Sequence, residues 1–314
     1  MSSADSQPGT AAVVVVGELL VDIVRTPDGE VAEHVGGSPA NVAMGLARLG
    51  HATELACLVG TDDRGRRCTE HVEAAGVALT QGSVSSTHPT STAVATIDEQ
   101  RQATYTFDLH WDLPPVVLAE GTGHVHTGSI ATTLQPGAAQ VTDALQRGRE
   151  LGTISYDPNM RPSIMGSPDA VRPRVEELVS LADVVKCSDE DLAWLYPGTP
   201  VEEVLARWGD LGASFTLVTR GGEGVHWRLP GSGESGSEPA SDVIPVDTVG
   251  AGDSFMAGLV SGLLDAGLLG SPAARERLRT ARADDIRPAV ARGARTSGIT
   301  VTHAGAYAPT REEL

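Results

Sequence analysis

The sequence predicts an α/β protein: a largely parallel sheet with helices on both faces, and a small β-lid beside it. Three observations predict this. Short apolar runs such as Ala11–Val16, Thr53–Val59 and Phe215–Thr219 have the length and content of strands buried on both faces. Amphipathic, Ala- and Arg-rich stretches of helical period separate them. Two early excursions, near 22–36 and 90–112, alternate in polarity and turn back at Pro27-Asp28-Gly29 and at Asp98-Glu99-Gln100-Arg101-Gln102, as a projecting lid would.

The composition narrows the class. A chain of 314 residues suits one large α/β domain or two smaller ones. Hydrophobic residues make up 40% but aromatics only 4%, so Ala, Val and Leu must build the core. A net charge of −18 disfavours nucleic acid as a partner and suits an enzyme of small metabolites. Lys186 is the sole lysine. Three widely spaced cysteines, Cys57, Cys68 and Cys187, give neither a disulfide framework nor a zinc site. Residues 1–10 are polar and read as a disordered tail before a single domain over 11–314. No segment approaches the ~20 apolar residues of a membrane span, and the expectation is a cytoplasmic protein that does not engage membranes.

In chain order, Ala11–Val16 is the first strand, and Asp22 follows just beyond its end. Ligands of open α/β sheets bind outside the carboxyl ends of strands, although a surface-turn role fits an Asp there as well. The first lid excursion ends at Gly36-Gly37-Ser38-Pro39-Ala40-Asn41, where Ser38 is expected to cap a helix that Gly50 stops. Asn41, in its first turn, has the paired donor and acceptor that read sugar hydroxyls, or serves as a second cap. His124 and His126 share one strand face, a pattern more economically met by structure than by a metal. Leu134–Leu151 and Val171–Leu181 read as helices, with the strand Thr153–Asp157 between them. Asp157-Pro158-Asn159-Met160-Arg161 puts polar groups at that strand's end, with Arg161 as a clamp for charge or hydroxyl. Ser188 and Asp191 form a capping box that also leaves acidic groups available to magnesium through water. Arg220-Gly221-Gly222-Glu223-Gly224 follows a strand but lacks P-loop spacing. Gly231–Ser241 reads as a flexible loop and Ala273–Thr296 as helical.

The stretch Asp247-Thr248-Val249-Gly250-Ala251-Gly252-Asp253-Ser254-Phe255 carries the chemistry. Gly250, Ala251 and Gly252 let backbone N–H groups approach an anion, and the helix behind them adds the positive end of its dipole. Asp253 sits in the first turn. A carboxylate there either complements the dipole or takes a proton beside a bound anion, as phosphoryl transfer to a hydroxyl requires.

Two separated motifs resemble those of the ribokinase-like, or PfkB, family of sugar kinases. Gly36-Gly37-Ser38-Pro39-Ala40-Asn41-Val42-Ala43, with Gly50 and Gly60 at matching distances, resembles the N-terminal signature, and Asp247–Gly258 the C-terminal one. The resemblance covers roughly residues 11–310 and implies a three-layer αβα ribokinase-like fold. It implies ATP as phosphoryl donor, Mg2+ as cofactor, and transfer to a primary hydroxyl of a sugar. It makes Asp253 the general base and Gly250, Ala251 and Gly252 the anion hole. It places Asp22, Gly37, Asn41 and Arg161 on the sugar, and Ser188, Thr219, Gly222 and Gly224 along the nucleotide. Asp247 and Val249 match positions that hold a monovalent cation, K+, in part of the family. Lids in the family contribute to homodimers, so a dimer is expected.

The Asn-x-x-Glu element of the family reads Ser188-Asp189-Glu190-Asp191 here, which leaves Asp191 to organise magnesium through water. This variant, Gly17–Asp22 and Asp157–Arg161 are similar to fructokinase-type members, while Tyr105–Trp111 departs from their lid segment. The expected activity is therefore that of a fructokinase-like enzyme. The alternatives are a 2-keto-3-deoxygluconate kinase with Arg161 on the carboxylate, a ribose or nucleoside kinase, and, in a different class, a catalytically inactive sugar-binding regulator.

Overall fold

The structure is a computed structural model that describes residues 12–100 and 102–314; the tail expected over 1–10 lies outside the described residues. Among them, nine strands form one sheet in the order Glu234–Glu238, Val225–Leu229, Phe215–Thr219, Val184–Ser188, Thr153–Asp157, Thr122–Gly128, Ala12–Val16, Thr53–Ala56 and Ala78–Leu79. Every neighbouring pair from Phe215–Thr219 to Ala78–Leu79 is parallel. The C-terminal ends of these strands therefore lie on one edge of the sheet, which is where the polar residues gather. The edge strand Glu234–Glu238 lies where a flexible loop was expected. Its Ser and Glu residues alternate in exposure, and antiparallel pairing with Val225–Leu229 supplies the order that its composition conceals.

Period-two alternation splits the core in two. Val13 and Val15 face one layer, with Leu46, Phe255, Leu259 and Val290. Val14 and Val16 face the other, with Val125, Leu145, Val175 and Trp208. Helices cover both faces because strands this apolar must be shielded on each side. Ser38–Arg48, Ala251–Asp265 and Ala283–Thr300 lie on the first face, and Gly137–Leu151, Pro168–Leu181 and Val201–Leu211 on the second. The stretch expected to run helical from Ala273 is two helices, Pro272–Arg279 and Ala283–Thr300, because the backbone breaks at 280–282. The Leu134–Leu151 helix starts later, at Gly137, after a 3-10 turn over Ser129–Thr132.

The lid is a four-stranded sheet in the order Val31–Gly36, Leu20–Arg25, Thr92–Ile97 and Ala103–Asp108. Both expected hairpins are present, joined by parallel pairing of Val21 with Thr92. Its strand Leu20–Arg25 follows the core strand Ala12–Val16 after three residues. The lid is thus anchored at the edge of the sheet where the polar residues gather. No helix among the described residues is long and apolar enough to cross a membrane.

Candidate active site

The helix Ala251–Asp265 begins from Gly250, whose φ of +75° is the left-handed turn that glycine adopts without strain. No side chain caps this N-terminus; the Ala251 N–H donates to the Thr248 carbonyl at 3.2 Å, while the Gly252 and Asp253 N–H groups, which lack intrahelical acceptors, remain available to an anion. Asp253 stands in that turn and is only 8% exposed. Its Oδ1 accepts the Ser38 hydroxyl at 2.7 Å and its Oδ2 accepts the Asn41 amide at 2.8 Å. Asn159 Nδ2 in turn donates to Ser38 Oγ at 2.6 Å, which leaves the Ser38 proton to point at Asp253. Three segments far apart in sequence thereby fix one carboxylate.

Ser38 was expected to cap its helix, and the structure corrects this. The helix starts at Ser38 with Gly37 as the capping position, and no side chain caps it. The hydroxyl turns to Asp253 instead, because the charged acceptor is the stronger partner. Gly37 has φ of +119°, and a Cβ there would meet the Glu18 carbonyl oxygen at 2.3 Å. Only glycine lets the chain pass from lid strand to helix at this point.

A cleft of about 1260 Å³ opens in front of these groups, between lid and main sheet. Asp22, Gly37, Asn41, Arg161, Gly250 and Asp253 all line it, so the expected sugar residues and the expected base share one cavity. Asp22 faces His34 across the lid hairpin. Partial desolvation between the cleft walls raises its carboxyl above the ordinary range, against the pull of Arg161 and His34. The Arg161 guanidinium is held by Asn159 Oδ1 at 2.7 Å and the Met160 carbonyl at 2.9 Å. Asn159 itself takes a positive φ of +39°.

Ser188, Thr219, Gly222 and Gly224 lie outside this cleft but on the same edge of the sheet, where Ser188 and Thr219 pair in register. Gly222 faces open space. A Cβ on Gly224 would meet the Glu238 carbonyl oxygen. The capping box of Ser188 and Asp191 is present. Asp191 Oδ1 also accepts Met160 N–H at 2.8 Å, so it ties the Asp157–Arg161 turn to the next strand. Asp247 accepts Val249 N–H at 3.0 Å and Gly305 N–H at 2.8 Å, and these bonds hold its carboxyl below the ordinary range. Asp247 and Val249 also line the cleft, Val249 with its side chain largely exposed.

The structure adds groups to which the sequence reading gave no role. Lys186 donates to Asp157 Oδ2 at 2.9 Å, with both side chains buried. Burial lifts the Asp157 carboxyl to about 6, against the pull of Lys186. Burial works against the Lys186 ammonium, but Asp157, Asp191 and Asp253 together outweigh it and raise its pKa. Asp157 Oδ1 is buried with no partner. Glu18 is buried where the first core strand leaves the sheet, and desolvation raises its carboxyl to about 7 despite a hydrogen bond from Ala131 N–H. The uniqueness of Lys186 in the sequence was the available signal for one of these groups.

His124 and His126 share a face as expected, and both ring nitrogens of His124 and Nδ1 of His126 are taken up by hydroxyls. His124 bonds Thr153 and Ser155 at 2.8 Å each, and His126 bonds Ser155 at 2.9 Å. Desolvation pushes both imidazoles down to about 3, so both are neutral. No cluster of three or more His, Cys, Asp or Glu groups suited to a metal occurs among the described residues.

Comparison with known proteins gives the family. Residues 10–313 match the family described as pfkB family carbohydrate kinase. Fructokinase of Klebsiella pneumoniae is 34% identical over 268 residues, covering 81% of this chain and 85% of the relative. Fructokinase of Escherichia coli is 30% identical over 315 residues, covering 97% and 98%. A double-mutant fructokinase from Vibrio cholerae O395, solved in a fructose-, ADP- and potassium-bound form, superposes with a TM-score of 0.77 at 28% identity over 98% of each chain. The chain belongs to the pfkB family of carbohydrate kinases, with the ribokinase-like fold, and is a phosphotransferase that acts on a sugar hydroxyl.

Proposed function

We propose that the enzyme is a fructokinase that uses Asp253 to deprotonate a primary hydroxyl of fructose as the γ-phosphoryl group of ATP is transferred to it. The observation that carries this reading is the placement of Asp253 at an uncapped helix N-terminus, with both carboxylate oxygens oriented by Ser38 and Asn41. Fructose is chosen because the relatives that cover most of the chain are fructokinases.

In this mechanism the sugar lies in the cleft with its hydroxyls on Asp22, Gly37 and Asn41, and Arg161 at the rim. The backbone N–H groups of Gly250, Ala251 and Gly252 hold the transferring phosphoryl group. The hydroxyl oxygen attacks phosphorus, its proton passes to Asp253, and the bond from phosphorus to the ADP oxygen breaks. Ser188, Thr219, Gly222 and Gly224 run along the nucleotide on the neighbouring strand ends. The lid excludes water that would otherwise accept the phosphoryl group.

The residues present fit a magnesium held through its water shell. The partnerless Asp157 Oδ1 is a buried acceptor that a metal-bound water would satisfy, and Asp191 is anchored beside the same turn. Magnesium, when bound, neutralises charge on the phosphates. Asp247, with the carbonyl of Val249, is the corresponding candidate for potassium. A homodimer through the lid, where Val31 is largely exposed, and a cytoplasmic location complete the proposal; light scattering checks the dimer.

The test is a coupled ADP-release assay with ATP and magnesium over fructose, 2-keto-3-deoxygluconate, ribose and nucleosides. Fructose should give the highest kcat/KM, and a preference for the acid would move the assignment to the Arg161 clamp. Asp253→Asn should lower kcat by about 10²- to 10⁴-fold with sugar affinity retained. Undiminished turnover in that variant rules out Asp253 as the base.

A further inference from the structure

The helix Asp63–Ala74 holds the lid at two points. Arg64 and Arg67, three residues apart, project from one face of it. Both guanidiniums close on Glu33, in the outer lid strand Val31–Gly36. Arg64 Nε donates to Glu33 Oε1 at 3.1 Å, with a second bond from the same guanidinium, and Arg67 Nη1 donates to Oε2 at 2.6 Å. Among the described residues Glu33 is the only carboxylate that either arginine bonds. Asp63 and Glu70, on the same helix, pair with Arg66 instead. At the start of the helix its capping residue Asp62 accepts the Thr90 N–H at 2.8 Å and the Thr90 hydroxyl at 2.7 Å. Thr90 stands just before the lid strand Thr92–Ile97.

These two strands flank Leu20–Arg25, the strand that carries Asp22. Side chains alternate along a strand, so Glu33 turns to the helix and His34 to the face that Asp22 shares. A Cβ on Gly36 would stand 2.1 Å from Asp22 Oδ2, so that carboxylate lies against the outer strand itself. Nearer the root of the lid, Val21 and Ile23 share an apolar cluster with Cys68 and Val72 of the helix. That contact is indifferent to ions, whereas the Glu33 bonds, at the solvent boundary, weaken as salt screens them.

We propose that Glu33 is a positioning residue for the sugar: held by Arg64 and Arg67, it sets how the lid stands over the cleft, and with it where Asp22 and His34 meet a sugar bound in front of Asp253. This rests on the reading of that cleft as the sugar site. The alternative is an ion-pair network that adds a little stability and leaves the substrate alone.

Fructose carries no charge, so a salt dependence of its affinity reports the tether rather than its own contacts. The measurement is calorimetry of fructose binding without nucleotide, in about 0.05 M and about 0.5 M tetramethylammonium chloride, whose cation is too large to stand in for potassium. The wild-type Kd should rise by about fivefold between the two. Glu33→Gln should start at the weakened value and hold it at both salts, and should raise KM for fructose by about fivefold with kcat within about twofold. A lower Tm in Glu33→Gln, with Kd, KM and their salt response as in the wild type, overturns the proposal, as does a wild-type Kd that salt leaves unchanged. The reversed set Glu33→Arg/Arg64→Glu/Arg67→Glu rebuilds the tether and should recover wild-type affinity at low salt. Failure to recover assigns the loss to the glutamate alone and also overturns the proposal. Asp22→Asn separates the two readings. If it weakens fructose binding and Glu33→Gln does not, the cleft holds the sugar and the tether is idle. If neither variant alters fructose affinity, both readings fall.

Discussion

Replacing Glu18 by Gln should stabilise the protein in neutral and alkaline solution and leave it nearly unchanged in acid. Burial raises the Glu18 carboxyl from 4.5 to about 7 in the folded chain. The folded state therefore holds this proton more tightly than the unfolded state does. The stability contributed by the group is complete below its unfolded value and is lost as pH rises through the folded one. The full loss amounts to about 3 kcal/mol, or roughly 5 °C in Tm for a chain of this length. Gln keeps an acceptor for the Ala131 N–H and never ionises. Thermal melts of both proteins from about pH 5 to about pH 8 should show the gap in Tm widening in favour of Glu18→Gln, by most of that amount. Parallel curves would mean that Glu18 is solvated or paired in the folded protein, and would sink the argument from burial.

Other expectations follow from the same geometry. Ser38→Ala removes a hydrogen bond to a charged acceptor and should lower kcat by about ten- to a hundredfold. Asn159→Ala should lower kcat less, and the double variant should have no lower kcat than Ser38→Ala, because toward Asp253 Asn159 acts through the Ser38 hydroxyl, while its lost bond to the Arg161 guanidinium falls on KM for the sugar; additive losses in kcat break the proposed relay. Arg275→Met should cost about 3 kcal/mol in urea unfolding, because it strips Asp183, buried and otherwise paired with Arg149 at 3.8 Å, of its 2.8 Å partner. A loss below about 1 kcal/mol would show that the Arg149 contact and the Ile154 N–H bond suffice for that carboxylate.

Much of this could be read before the structure was seen, for identifiable reasons. The strands were legible because burial on both faces leaves an uninterrupted apolar run, as in Val13–Val16. The turn at Gly250 was legible because backbone approach to an anion requires small residues in sequence order. The edge strand Glu234–Glu238 was not, since half of such a strand faces solvent and its composition matches that of a loop. The role of Ser38 was hidden by a local alternative. A serine before proline at a helix start is a complete capping signal, and only the approach of Asp253 from 215 positions away redirects it. Lys186 and Asp157 were invisible as a pair because they sit on neighbouring strands, and strand adjacency is a property of topology.

The separation between Ser38 and Asp253 also bears on how the enzyme is made. Ribosomes add about 5–20 residues per second, so Ser38 and Asn41 emerge roughly 10–40 s before their carboxylate. During that interval the helix Ser38–Arg48 has no Ala251–Asp265 to cover Ala40, Ala43 and Gly45, where the finished fold brings Gly45 within van der Waals range of Ala257. The nascent chain thus carries an apolar helix face that only its last quarter can shield. Truncation before residue 251 should leave an aggregation-prone fragment rather than a smaller sugar-binding domain, because the helices that complete the first layer arrive last in translation.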